Sequence, residues 1–166
     1  MQYQMRRSKR ALPEHQARAI LEKGEYGILS LQGEEPYGIP LSYVVHQNCI
    51  YFHCALEGRK IDCMRSNPSV SFCVVGKVQP KHRPLYFTTL FESAIVTGKA
   101  QPVEDIEEKT LALVELCKKY FPELSPQVKE EAAQSARNSM DRTGVYRISI
   151  DEITGKSNIP QEQEEG

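Results

Sequence analysis

The chain has 166 residues, 40% of them hydrophobic and 26% charged, with a formal net charge of −1. That length fits one domain with a sizeable core, and the charge balance excludes a global field that would draw the protein to nucleic acid. No apolar run approaches the ~18 residues of a membrane span, and none of about 8 follows the basic cluster Arg6, Arg7, Lys9 and Arg10, so neither a membrane anchor nor a secretory leader is expected. The cluster itself reads as a solvated leader segment. Cys49, Cys54, Cys63, Cys73 and Cys117 are odd in number and form no C-x-x-C pair, which predicts the reduced thiols of a cytoplasmic protein and no metal site.

Residues 13–23 read as a helix: Pro13 suits its first turn, Ala17, Ile20 and Leu21 form an apolar stripe, and Gly24 suits the stop. Strands are expected at 26–31 and 37–45, with a turn at 32–36 between them. Gln47-Asn48 makes a tight hairpin into a strand at 50–54. A short helix at 57–66 ends at Asn67-Pro68, because the residue before proline avoids the helical region. A fourth strand is expected at 70–75, a loop at 76–84 (rich in cations, with Pro80 and Pro84), and a long β-rich stretch at 85–100. Helices at 104–120 and 127–138 follow, the first amphipathic, with Ile106, Leu111, Leu113, Val114 and Cys117 available for burial. Residues 145–150 read as the last strand. Strands outnumber helices and are joined by short turns or small helices. The expected fold is therefore mainly β, an antiparallel barrel with flanking helices, since closure removes exposed edges. The domain spans residues 13–158, between an N-terminal arm (1–12) and a flexible acidic tail (159–166).

Three places carry candidate chemistry. The stretch Tyr51-Phe-His-Cys-Ala-Leu-Glu-Gly-Arg-Lys60 reads as a strand, a glycine turn and the start of a helix. A helix start offers free N–H groups and a partial positive charge, and Arg59 and Lys60 there oppose the helix dipole unless an anion is present. Gly58, Arg59 and Lys60 thus suit a dianionic phosphate monoester. Pro40 inside the strand Gly38-Ile-Pro-Leu-Ser-Tyr43 implies an edge or a bulge. A flat ligand could lie there, although a shielded edge strand explains the proline equally well. His53, five residues before the phosphate turn, could face a ligand ring or serve as a structural hydrogen-bonding residue.

Together these segments, with Asn67-Pro-Ser-Val-Ser-Phe72, Glu92-Ser-Ala-Ile-Val-Thr-Gly-Lys-Ala100 and Thr143-Gly-Val-Tyr-Arg-Ile-Ser-Ile150, resemble the pyridoxamine 5′-phosphate oxidase-like superfamily of FMN-binding split barrels. Within it the chain is most similar to the Nim group of 5-nitroimidazole-resistance flavoproteins. The resemblance implies a six-stranded split barrel that works as a homodimer with FMN at the subunit interface. It implies that Arg59 and Lys60 grip the phosphate after Gly58. Gly38, Ile39, Pro40, Leu41, Ser42 and Tyr43 would line the flavin ring through backbone groups. His53 and Cys54, with Ala55 in the same segment, would lie beside the ring and ribityl chain, and Ser93 would bond the cofactor from a neighbouring strand. His53 is the implied catalytic residue. The implied activity is an oxidoreductase passing electrons from a reductant, such as a nicotinamide, to a small acceptor such as a nitroaromatic. A flavin-storage protein, a haem-binding member of the fold and a deazaflavin cofactor are the alternatives. The substrate-phosphate arginines of true pyridoxamine phosphate oxidases have no counterpart, and the chain has no tryptophan, so pyridoxamine phosphate is not the expected substrate.

Overall fold

The computed structural model describes residues 5–139 and 141–160; the acidic tail expected at the C-terminus falls outside these beyond residue 160. The fold is mainly β with flanking helices, as expected. Nine strands form a continuous antiparallel sheet: β1 (Ala11–Leu12), β2 (Gly27–Gln32), β3 (Pro36–Leu41), β4 (Val44–His46), β5 (Cys49–Cys54), β6 (Ser69–Arg83), β7 (Tyr86–Pro102), β8 (Gly144–Ser149) and β9 (Glu152–Ser157). The order is β3-β2-β6-β7-β8-β5-β4, with β9 also on β7 and β1 on β9. Four helices flank it: α1 (Glu14–Lys23), α2 (Arg59–Ser66), α3 (Ile106–Tyr120) and α4 (Pro126–Asn138).

The strand count exceeds the expected six for three physical reasons. First, the stretch read as one strand over 37–45 breaks at Ser42 and Tyr43, because β3 and β4 are the two end strands of the sheet order. The chain steps from one end of the sheet to the other there, and this is where the barrel is split. Tyr43 anchors the step: its ring is fully buried and meets Phe72 edge-on at 4.8 Å, its hydroxyl donates to the Leu21 carbonyl, and its N–H donates to the Tyr120 hydroxyl at 3.0 Å. Second, residues 145–150 are not the last strand. β8 and β9 run on successively along β7, with Ala100 opposite Ile148 and Thr97 opposite Glu152, so one extra residue is accommodated at Ile150-Asp151. β9 is polar except for Ile153, which hid it from pattern reading. Third, β1 is a two-residue strand that ties the N-terminal segment to β9.

The expected loop at 76–84 is instead the distal half of β6. It pairs with β7 through a register shift between Val75 and Val78, and the two form a ribbon that projects beyond the rest of the sheet. Pro80 lies opposite Thr89 in this two-stranded ribbon, where a missing N–H can face solvent. The Gln47-Asn48 hairpin is a type I′ turn, with both residues at positive φ (45° and 61°).

One apolar cluster fills the barrel, with Leu29, Ile50, Phe52, Phe72, Val74, Val96 and Ile148 at its centre and α1 closing one end through Ala17, Ile20 and Leu21. A second cluster packs α3 (Ala112, Leu116) on Val44, Tyr51 and Val145. At the end of α3, Lys119 places its Nζ 3.8 Å from the centroid of the Tyr43 ring, buried and with no hydrogen-bond partner among the described residues. Burial pushes its amine down to about 8, although the ring face favours the cation. The folded form thus disfavours a charge that the unfolded chain carries up to its ordinary range. The penalty is fully present below pH 8 and disappears as pH rises toward the unfolded value. Lys119→Met is expected to raise stability at pH 7 by about 1 kcal/mol, a figure discounted for the half-exposed stem. Chemical denaturation at pH 7 and pH 10 checks this: the gap closes at the higher pH.

Candidate functional site

Gly58 precedes α2 with φ 116° and ψ 168°, a region open essentially to glycine alone. It turns the chain sharply from β5 into the helix. Among the described residues no side chain caps this helix start, and Ile61 and Asp62 already return their N–H groups to the Gly58 carbonyl. The first turn therefore offers the Arg59 and Lys60 N–H groups and two cations without a side-chain cap, with Asp62 the acidic residue of the same turn.

The two cations lie on different neighbours. Arg59 lies 4.3 Å from the centroid of the Tyr37 ring on β3 and 3.9 Å from Glu35 Oε2. This ion pair is exposed and long, hence weak and easily exchanged for a stronger anion. Lys60 lies 5.6 Å from the Phe52 ring centroid and close enough to Cys54 to act on its thiol. Burial pushes the Cys54 thiol up, and Lys60 partly offsets this. Arg59 thus leans on β3 and Lys60 on β5, which brings the edge strand and the helix start into one site. Tyr37 and Glu35 were not singled out in the sequence; the alternation Tyr37, Ile39, Leu41 was the signal that put an aromatic ring on the inner side of β3 beside the helix.

Among the described residues β3 pairs only with β2, which leaves its other edge without a strand partner. Gly38, Pro40 and Ser42 are exposed, while Ile39 and Leu41 pack against the barrel core. The outward positions are small, which leaves a flat, open surface. Tyr43 is different. Its ring belongs to the core, and its backbone N–H and C=O both meet the Tyr120 hydroxyl, so it closes the end of this surface and leaves no group to offer a ligand.

His53 and Cys54 end β5 with side chains on opposite faces. Cys54 packs against the barrel core, whereas His53 is exposed on the α3 side, across from Val145 of β8. On that same face Tyr51 donates to Glu108 Oε1 at 2.9 Å, and Arg147 donates to the same oxygen at 2.8 Å. Burial, then the bond to Glu108, pushes the Tyr51 hydroxyl up to about 12. Ala55 is exposed between His53 and the glycine turn. Ser93 is not part of this assembly within one chain. It lies on β7, two residues from Ile95, which is aligned through Cys73 and Ile28 with Pro40. Three strand spacings, about 14 Å, separate β7 from β3.

The start of α2 and β3 thus meet through Arg59 and Tyr37, whereas His53 lies on the α3 face of β5, and no contact among the described residues joins it to β3. His53, Ala55, Gly58, Arg59, Gly38 and Pro40 are all exposed. Fold and site together define an antiparallel split barrel with an uncapped, cationic helix start beside an open edge strand. The family model described as pyridoxamine 5′-phosphate oxidase matches residues 13–157, and the chain belongs to that family. Solved structures share the fold at low identity. A Bacteroides thetaiotaomicron protein provisionally assigned to 5-nitroimidazole antibiotic resistance is 22% identical, with 89% of this chain and 86% of that one covered and a TM-score of 0.73. The flavocytochrome Anf3 of Azotobacter vinelandii is 17% identical, covering 95% and 73%, at 0.72. An FAD and heme binding protein of Mycobacterium smegmatis is 13% identical, covering 87% and 71%, also at 0.72. No functionally curated protein matches the sequence.

Proposed function

We propose that this protein binds FMN on the face formed by α2 and β3 and acts as an oxidoreductase, passing electrons from a reductant such as a nicotinamide to a small acceptor such as a nitroaromatic. The observation that carries the reading is the uncapped start of α2 with Gly58, Arg59 and Lys60. A terminal phosphate monoester carries two charges on one group, which suits two adjacent cations and free N–H donors better than the diphosphate of FAD, whose charge is spread over two phosphates. The exposed edge of β3 at Gly38, Pro40 and Ser42 suits a flat ring system, and the names of the structural neighbours, which include flavin-binding proteins, support the same class.

Bound FMN would supply the electron-transfer chemistry. The chain's own part is to fix the phosphate at Arg59 and Lys60, to seat the ring along Gly38, Ile39, Pro40, Leu41 and Ser42, and to present His53 from the end of β5. His53 is the proton donor to the reduced product, since an imidazole is the side chain suited to proton delivery near neutral pH. The open side of the face needs a second wall, which supports a homodimer with FMN between the subunits. In that arrangement Ser93 approaches the cofactor of the partner subunit rather than its own. Five free cysteines support a reducing, cytoplasmic setting.

His53→Ala is expected to retain FMN as the wild type does and to reduce a nitroimidazole about 100-fold more slowly. Steady-state rates with equal flavin loading check this. An unchanged rate at equal loading removes His53 from the chemistry and favours a flavin-storage role.

A further inference from the structure

The ribbon formed by the distal parts of β6 and β7 ends in the turn Arg83-Pro84-Leu85-Tyr86. Leu85 is fully exposed (103%), Phe87 is 80% exposed and Tyr86 57%. Leu85 also holds φ at 61°. It is the second central residue of the turn, directly after a proline, where a positive φ calls for glycine or asparagine. A leucine there carries a conformational cost and covers nothing within the chain. A side chain that is both strained and bare is explained by a contact outside the chain.

Cations stand directly behind this apolar apex. Arg83 pairs with Tyr86 and Lys81 with Thr88, so Arg83 lies one step behind the turn and Lys81 about 7 Å further back along the strand. Both are exposed, and no salt bridge among the described residues engages either. Lys77 continues the series toward the barrel, and residues 75–91 contain no acid. His82 meets the Phe87 ring at 4.7 Å between centroids, which steadies that ring beside the turn. An apolar apex followed by a collar of cations matches the layers of an anionic bilayer surface, where acyl chains lie beneath charged phosphates. A protein partner fits less well. Three side chains at the apex of a convex turn fall short of the about 800 Å² that a stable protein interface takes from each partner, whereas a bilayer closes round a protrusion of any shape.

We propose that the ribbon tip is a peripheral membrane contact: Leu85, Tyr86 and Phe87 enter the headgroup–acyl boundary of an anionic phospholipid bilayer, while Arg83 and Lys81 bind the lipid phosphates. Insertion of about 5–10 Å, the depth usual for interfacial apolar faces, buries the apex and leaves the two cations level with the headgroups. Among the described residues no helix is long and apolar enough to cross a membrane, so the contact is a docking and not a span. Neither a single apolar turn nor a few cations hold a protein firmly, and the two signals together give reversible attachment. This contact does not rest on the flavin reading, because no residue of the Gly58 turn or of β3 enters it.

The chain has no tryptophan, so Phe87→Trp puts a sole tryptophan at the tip, and Tyr26→Trp, on an exposed residue beside the ribbon root, is its control. On vesicles of equal parts phosphatidylglycerol and phosphatidylcholine, the Phe87→Trp emission is expected to shift to the blue and to be quenched by brominated acyl chains, while the Tyr26→Trp emission stays unchanged. Cosedimentation supplies affinities. The wild type is expected to bind the mixed vesicles at least about 10-fold more tightly than pure phosphatidylcholine, and Lys81→Gln with Arg83→Gln to weaken that binding about 30-fold. Leu85→Gly is expected to weaken it about 10-fold or more and yet to melt no lower than the wild type, because glycine adopts the positive φ freely. A Phe87→Trp emission that ignores the vesicles, a Tyr26→Trp emission that shifts as far, or a Leu85→Gly chain that binds as the wild type does overturns the proposal. A wild type that ignores vesicles but loses self-association on Leu85→Gly also overturns it, and assigns the tip to a protein contact instead.

Discussion

Replacing both cations at the start of α2, Arg59→Ala with Lys60→Ala, is expected to strip the protein of FMN while leaving the fold in place. A hydrogen bond to a charged group contributes about 1.5–3 kcal/mol, so losing two weakens FMN binding by roughly 100- to 10,000-fold. The cost to the fold is small. Arg59 has only an exposed, 3.9 Å ion pair with Glu35 and its stacking on Tyr37, together worth about 1 kcal/mol. Lys60 adds a distant approach to Phe52. Fluorescence titration with FMN and a thermal melt separate the two effects. A double variant that binds FMN as tightly as the wild type would remove the helix start from the binding site, and equal binding of riboflavin and FMN by the wild type would show that the phosphate is not recognised at all.

The largest effect on stability is expected from Gly98→Ala. Gly98 lies in β7 where β8 gives way to β9 and the sheet bends. A Cβ built there would stand 1.7 Å from the Ser149 carbonyl oxygen and 2.8 Å from its carbonyl carbon. Those are backbone atoms, and they are held in place: Lys99 donates its N–H to the Ser149 hydroxyl at 3.0 Å, and Asp151 donates its own to the Thr97 carbonyl at 3.1 Å. The strand pair must part to admit even one methyl group. A loss of about 3 kcal/mol or more is expected, at the upper end of overpacking costs, which lowers the melting temperature by roughly 6–12 °C for a chain of this size. Gly38→Ala is the control, since a Cβ there makes only an ordinary 3.7 Å contact with Ile28. Equal melting temperatures for Gly98→Ala and the wild type would show that the bend does not need glycine.

The parts of this fold that local chemistry dictates were legible in the sequence. α1 follows from its stripe of Ala17, Ile20 and Leu21, the β4–β5 hairpin from Gln47-Asn48, and the turn into α2 from Gly58 and the two cations after it. In each case the signal and the structure it specifies lie within one or two turns of chain. The break at Ser42 and Tyr43 was not legible, because Ser-Tyr is good strand sequence and the reason for the break is long-range: Tyr120 and Leu21 hold Tyr43 from 77 and 22 residues away. The ribbon at 76–84 read as a loop because its prolines and cations are loop residues in most settings, and only pairing with 86–91 makes it a strand. The same limit applies to the site. Arg59, Lys60 and the exposed side of β3 could be grouped from the sequence, but the Tyr37 ring beneath Arg59 and the separation of Ser93 from β3 depend on register across the sheet, which no local pattern encodes.

The most direct test of the account is the visible absorption spectrum of the purified protein after incubation with FMN and gel filtration. The account predicts a two-banded flavin spectrum that elutes with the protein at about one FMN per chain, and that FAD is retained less well. A colourless protein fraction, with all the FMN in the small-molecule volume, would contradict it.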